Sequence, residues 1–296
     1  MDWKNLSFDA IGTHWNISFA RTGDVERNQG MPEQIQHAIA EFDEAFSRFR
    51  PDSLVTEIAQ RTGTFAMPAH GFELLRFYEQ LYTLTHGSVT PFIGQMMADA
   101  GYDATYSFQP KPLHEPPKWG DAISYDEHEI EVRQPVLLDF GAAGKGCLVD
   151  IIARLLQVAG STDFTINAGG DIMHRSLTGE TVTVGLENPF DTSEVIGTVE
   201  LDNQSLCASA GSKRKWGNFH HIMNPATLRS VEDIQATWVI ADDTMTADGL
   251  ATALFFVSPS QVLQQFAFSY ALLDKAGGLR YAKNFPAKFF EEVHHE

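Results

Sequence analysis

Asp248 and Thr252 stand four residues apart in Thr246-Ala247-Asp248-Gly249-Leu250-Ala251-Thr252-Ala253-Leu254. On a helix that spacing stacks them on one face. A carboxylate and a hydroxyl are hard oxygen donors suited to Mg²⁺, which takes one or two protein groups and completes its shell with substrate phosphates and water. The pair also has a purely structural reading: a first-turn carboxylate favoured by the helix dipole, and a threonine on the polar face. A second stretch, Leu138-Asp139-Phe140-Gly141-Ala142-Ala143-Gly144-Lys145-Gly146, runs into a helical pattern. Small residues let backbone approach a ligand, and a helix start offers free N–H groups to phosphate oxygens. Lys145 adds a positive charge there. The stretch is not a Walker loop, because Gly146 follows the lysine, and it lacks the Rossmann glycine spacing. Its plain alternative is a tight turn.

Two more segments carry chemistry-bearing residues. Asn167-Ala168-Gly169-Gly170-Asp171 closes a buried apolar strand, either as a turn or as a place where a ligand reaches backbone. His220-His221-Ile222-Met223-Asn224-Pro225-Ala226-Thr227 follows Lys213-Arg214-Lys215, the most basic stretch of the chain. That stretch reads as a solvated loop or as an anion-facing loop beside an imidazole base. Histidine titrates near about 6.5 and can accept a hydroxyl proton at neutral pH. In extended chain His220 and His221 point opposite ways, so one of them faces a given site.

These segments need elements to hold them. Residues 3–20 read as a hairpin turning at Gly12-Thr13. Ile35, Ile39, Phe42 and Phe46 predict a helix over 32–47, and the stripe from Leu74 to Tyr82 predicts another over 71–85. Residues 87–120 are rich in Gly and Pro and read as an excursion. Ile123–Val132 alternates as one strand, and Val136–Phe140 is a short apolar run. A helix follows over Leu148–Ala159, then a strand over Asp163–Ile166. Strands are expected at Thr181–Leu186, Ile196–Leu201, Leu206–Ala208 and Trp238–Ala241. Helices close the pattern at Thr246–Val257 and Pro259–Tyr270. Strand pairs mixed with helices, without a steady βαβ rhythm, favour an α+β fold with antiparallel sheet.

The 296 residues carry 21 Lys plus Arg against 39 Asp plus Glu, a formal charge of −18. That balance argues against a nucleic-acid partner, whose phosphates need clustered cations. Cys147 and Cys207 form no disulfide framework and read as small buried thiols. The opening Met1-Asp2-Trp3-Lys4-Asn5 has no basic-then-apolar signal and no lipid-attachment cysteine, so the expected location is cytoplasmic. No uncharged apolar run reaches ~18 residues, so no membrane span is expected.

In order, the segments resemble the ApbE family, the flavin transferases that move FMN from FAD onto a protein threonine. The family's Asp-x-Gly-x-x-x-Lys-Gly is similar to Asp139–Gly146 with Asp150 beyond it. Its Asn-x-Gly-Gly-Asp is similar to Asn167–Asp171. His221–Thr227 resembles its His-Ile-Ile-Asp/Asn-Pro-x-Thr, and Ala247–Ala253 its Ala-Asp-Ala-Leu-Ala-Thr-Ala. Ile11-Gly12-Thr13, Phe46–Ser53 and Thr85–Pro91 also fall in place, so the resemblance spans roughly residues 8–258. It implies one ApbE-like domain over 1–296, with antiparallel sheets packed with helices and an FAD cleft between two intimate halves. It implies Mg²⁺ on Asp248, Thr252 and the Ala142 carbonyl, with Asp139 and Lys145 contacting FAD. Ile11, Phe49, Ser88, Val89, Thr90 and Ile222 would line flavin and adenine, and His221 would be the base. The substrates implied are FAD and a target flavoprotein with an acceptor threonine. The same residues also suit an FAD pyrophosphatase that releases FMN and AMP, or an FAD-binding protein without turnover. The chain departs from the family at Thr90 (usually Asp), Ile11 (Met) and Ala59 (often Asn). Ser209-Ala210-Gly211-Ser212 follows Thr-Ser-Gly-x-Tyr only loosely.

Overall fold

The computed structural model describes residues 3–20 and 30–290. Its framework is an eight-stranded antiparallel sheet whose strands lie side by side in chain order: Trp3–Ala10, Thr13–Ala20, Phe164–Ala168, Asp171–Arg175, Ser205–Ala210, Ile234–Ala241, Ser269–Asp274 and Leu279–Tyr281. Insertions between neighbours, and the segment after Tyr281, carry the other described elements. The fold is α+β, as the mixed strand and helix pattern implies.

Contacts gather the chain into two compact units. One comprises Met1–Ile39, Lys145–Ser212 and Glu232–Glu296; the other comprises Ala40–Gly144 and Lys213–Val231. The first unit holds the large sheet and a three-stranded sheet of Val182–Glu187, Val195–Leu201 and Ala287–Phe289. Alternating residues of the two sheets share one core, including Ile172, Leu186, Val199, Leu206, Trp238 and Leu273. Burying each such side chain stabilises the fold by about 1.5–3 kcal/mol.

The second unit contains helix Ala69–Leu84, with Phe72, Leu75, Phe77, Tyr78 and Leu81 buried along it. It also has a small sheet of Gly63–Ala66, Glu129–Val132 and Ile123–Tyr125, and the short hairpins Lys215–Trp216/Phe219–His220 and Met223–Asn224/Arg229–Ser230. Met96, Met97, Ala100, Trp216 and Met223 form its satellite core.

Several boundaries differ from expectation. Ile123–Val132 is a hairpin, because Asp126 accepts the N–H groups of His128 and Glu129 and turns the chain. Within 87–120, helix Gly94–Asp99 interrupts the irregular stretch. Pro259–Tyr270 is helical only over Pro259–Val262. The following Ser269–Asp274 pairs with Ile234–Ala241 instead, so sheet pairing overrides the apolar helical spacing. The helix expected from Thr246 starts two residues earlier, at Thr244, because Asp243 caps it by accepting the Thr246 N–H at 2.7 Å. Asp248 therefore sits beyond the first turn and is no first-turn carboxylate.

Candidate active site

Helix Thr244–Ala253 is tied to its own unit at several points. Asp150, 8% exposed, accepts the N–H groups of Thr244 and Met245 at 2.9 Å each. Burial pushes this carboxyl up to about 6, although those two N–H groups favour its charged form. The Thr237 hydroxyl donates to the Ala251 carbonyl at 2.6 Å, and Ser205 Oγ lies 3.0 Å from Thr244 Oγ1. Gly146 lies directly against the helix start. A Cβ there would run into the Thr244 carbonyl oxygen, so only glycine permits this approach.

Asp248 is buried, and its Oδ2 accepts the Gly146 N–H at 3.0 Å. Lys145 Nζ lies 4.0 Å from Asp248 Oδ1 and forms an ion pair with Asp171, which is 1% exposed. One ammonium thus sits between two buried carboxylates, which is how such charges are tolerated away from water. Thr252 is half-buried, with its Oγ1 3.4 Å from Ser209 Oγ. Asp248, Thr252 and Lys145 thus fall in one unit, with the lysine beside the carboxylate. The structure adds the ion pair with Lys145 to Asp171, which the sequence marks only as the end of the Asn-Ala-Gly-Gly-Asp turn. There the Asn167 side chain accepts the Gly170 N–H at 3.0 Å, and Gly169 and Gly170 take φ of 64° and 103°. Cys207 is a buried thiol near the Thr244 carbonyl. Burial, then the charge of Asp248, holds its pKa well above the ordinary value, so it is no nucleophile.

Ile11, also in this unit, forms the hairpin loop with Gly12 at φ 49° and 69°. Two left-handed central residues are the mark of a type I′ turn, which favours Asn-Gly. A β-branched residue there is strained by about 1–3 kcal/mol, and such strain gathers at ligand sites.

The second unit holds the remaining candidates. Asp139 Oδ2 accepts from Arg48 Nε at 2.5 Å, and Oδ1 accepts the Gly141 N–H at 2.7 Å. Its carboxylate thereby shapes the glycine turn. The Ala142 N–H donates to the Tyr78 hydroxyl at 3.0 Å. Thr90 caps the turn Pro91–Ile93 by accepting the Phe92 N–H at 3.2 Å. Ser88 and Val89 donate their N–H groups to Thr85, one to its carbonyl and one to its hydroxyl. Phe49 is half-buried beneath the Arg48 guanidinium, 4.2 Å from its centroid, and stacks on Tyr106. Ile222 is buried, and its carbonyl accepts the Val231 N–H at 3.0 Å. His220 is committed to the scaffold, with Nε2 2.7 Å from the Val231 carbonyl oxygen. His221 is half-buried, its ring turned 71° from that of His220, and its N–H donates to the Arg214 carbonyl at 3.2 Å.

Among the described residues no three His, Cys, Asp or Glu side chains gather as a metal cage. Within the first unit the donors on offer are the Asp248 carboxylate and the Thr252 hydroxyl. Both are hard oxygens, and so few of them fit a cation that leans on phosphate oxygens for the rest of its shell. No helix among the described residues is long and apolar enough to cross a membrane.

This chain belongs to the ApbE family, whose model matches residues 11–271. It is 25% identical over 268 residues to the FAD:protein FMN transferase of Vibrio cholerae serotype O1, covering 84% of this chain and 80% of that one. It is 24% identical over 285 residues to the FAD:protein FMN transferase of Haemophilus influenzae, covering 88% and 82%. The crystal structure of the ApbE protein from Thermotoga maritima superposes with a TM-score of 0.82 at 20% identity, covering 97% of this chain and 100% of the other. The flavin transferase ApbE from Vibrio cholerae gives 0.76 at 19% identity, covering 96% and 98%. At those identities the superpositions carry the fold.

Proposed function

We propose that this chain transfers FMN from FAD to a threonine hydroxyl of a target flavoprotein, in an Mg²⁺-dependent reaction that releases AMP. The observation that carries the reading is the buried Asp248, aimed by the Gly146 N–H at 3.0 Å with Lys145 Nζ 4.0 Å away. The family membership and the transferase names of the relatives support it.

Asp248 and Thr252 would hold the cation, with the Ala142 carbonyl as the further ligand that the family resemblance implies. When bound, Mg²⁺ neutralises charge on the diphosphate and polarises the phosphorus that is attacked. Lys145 and Asp139 border FAD, while Ile11, Phe49, Ser88, Val89, Thr90 and Ile222 line its rings. The threonine Oγ attacks the FMN phosphorus. The bond from that phosphorus to the oxygen bridging to AMP breaks, and AMP leaves with the electron pair. His221 takes the threonine proton. What remains is a phosphoester between FMN and threonine.

The test is incubation with FAD, Mg²⁺ and a flavoprotein domain that another FAD:protein FMN transferase modifies. The expected outcome is a covalent mass gain of one FMN on the acceptor. Asp248→Ala should give none, and His221→Ala should slow single turnover while FAD still binds. An unmodified acceptor, or Asp248→Ala equal to wild type, overturns the reading. Free FMN and AMP formed at full rate without acceptor would assign the site to hydrolysis instead.

A further inference from the structure

Tyr106 and Phe108 are 46% and 49% exposed. Both adopt left-handed backbone at φ 51°, where bulky residues are rare. Asp103 fixes the loop. Its carboxylate accepts the N–H groups of Thr105 and Ser107 at 2.9 and 3.1 Å and their hydroxyls at 2.8 and 2.6 Å. The Phe108 N–H also donates to the Gly101 carbonyl at 2.8 Å. The two rings are therefore presented at the surface by a braced turn.

Beneath them Trp216 is buried, 6.2 Å from Phe108 and 5.1 Å from Tyr102 between centroids. Its indole N–H donates to the Ala100 carbonyl at 2.7 Å. Trp216 directly follows Lys213, Arg214 and Lys215, all exposed. The Arg214 carbonyl takes the His221 N–H, and its charge acts on the Tyr102 phenol. The Phe108 ring lies against Trp216, and the three exposed cations and the proposed base flank Trp216 along the chain in the same unit.

That region opposes the charge of the chain, which is −18 overall. An acidic partner is repelled by most of this protein and attracted here. Rigid aromatic side chains give contact area at low entropic cost, which suits them to protein recognition. We propose that the Tyr106–Phe108 rings with the Lys213–Lys215 cations dock the acceptor protein, gripping an acidic segment beside the threonine that receives FMN. The proposal rests on the transferase reading and names the surface by which its second substrate is held.

The test uses the full chain and an acceptor domain whose threonine is changed to alanine, so that docking is read without reaction. Binding is followed by fluorescence anisotropy of the labelled acceptor, and FAD affinity by quenching of flavin emission. Phe108→Ser and Lys215→Glu should each weaken acceptor binding about tenfold while FAD affinity stays within about twofold. Raising salt from about 50 to about 300 mM should weaken wild-type docking, and Lys215→Glu should blunt that dependence. Unchanged acceptor binding in both variants overturns the proposal. So does a matching loss of FAD affinity in Lys215→Glu, which would assign the cations to the FAD phosphates. Transfer to the unaltered acceptor is measured in parallel. If docking depends on these residues but no FMN is transferred, the docking surface stands and the transferase reading falls.

Discussion

Asp248 combines a structural duty with the one proposed for it. Its Oδ2 satisfies the Gly146 N–H, and its charge lies 4.0 Å from the Lys145 ammonium. Removing the side chain leaves a buried N–H without its acceptor, at about 1–3 kcal/mol. A first-turn carboxylate would have cost only about 0.3–1 kcal/mol. Burial, which spacing alone does not reveal, makes the difference. Asp248→Ala thus confounds folding with chemistry. Asp248→Asn keeps an oxygen for Gly146 and removes the charge, and Thr252→Val keeps the shape and removes the hydroxyl. Thr252→Val should unfold within about 1 kcal/mol of wild type, because it strands no buried donor, whereas Asp248→Asn turns an amide NH2 toward the Lys145 ammonium and should cost about 1–3 kcal/mol. Both should raise the Mg²⁺ concentration for half-maximal transfer at least about tenfold, since a cation held by few protein oxygens feels the loss of each. Wild-type Mg²⁺ titrations in both variants would remove the pair from the metal site.

Helix Gly144–Val158 meets helix Thr244–Ala253 where Gly146 and Asp150, one turn apart on the first, grip the start of the second. The carboxyl of Asp150 is pushed up to about 6 in the fold from an ordinary 3.8. The folded protein therefore binds this proton more tightly than the unfolded chain. Its contribution to stability is full below about 4 and is lost as pH rises through about 6. At about 1.4 kcal/mol per pK unit the loss is on the order of 3 kcal/mol. Denaturant unfolding of wild type and Asp150→Asn at pH 4.5 and 7.5 isolates it. The stability of wild type relative to the variant should fall from the lower to the higher pH, and an unchanged difference would refute the assignment. Little of this clamp was legible in the sequence. Helical spacing located the Asp248–Thr252 pair and the Leu148–Ala159 helix, because both are local signals. Strand alternation located most of the large sheet. The pairing that turns Ser269–Asp274 into a strand depends on a partner some thirty residues earlier, and the tie of Asp150 to Thr244 spans 94 residues. Asp171 was hidden for the same reason: its turn was visible, but its ion pair with Lys145 is a tertiary contact.

The whole molecule carries −18, yet its proposed substrate is a diphosphate. Long-range charge opposes that binding, so affinity must come from local groups: Lys145, a cation on Asp248 and Thr252, and apolar contact with the rings. This division can be read from stability, because a ligand that binds only the folded chain stabilises it by mass action. At about one hundred times its dissociation constant, FAD with Mg²⁺ should add about 2.7 kcal/mol. For a chain of this length that is a rise in Tm of roughly 5 °C. Chelating the cation should remove part of the rise, and in Asp248→Asn the Mg²⁺-dependent part of the FAD-induced rise should need at least about tenfold more Mg²⁺. ADP, which keeps the diphosphate and lacks the flavin, should give a smaller rise that still responds to Mg²⁺. An FAD-induced rise equal with and without Mg²⁺ in wild type would mean that the diphosphate is held by protein groups alone. The buried oxygen pair on helix Thr244–Ala253 would then be structural, and the chain would be a flavin binder rather than a cation-dependent transferase.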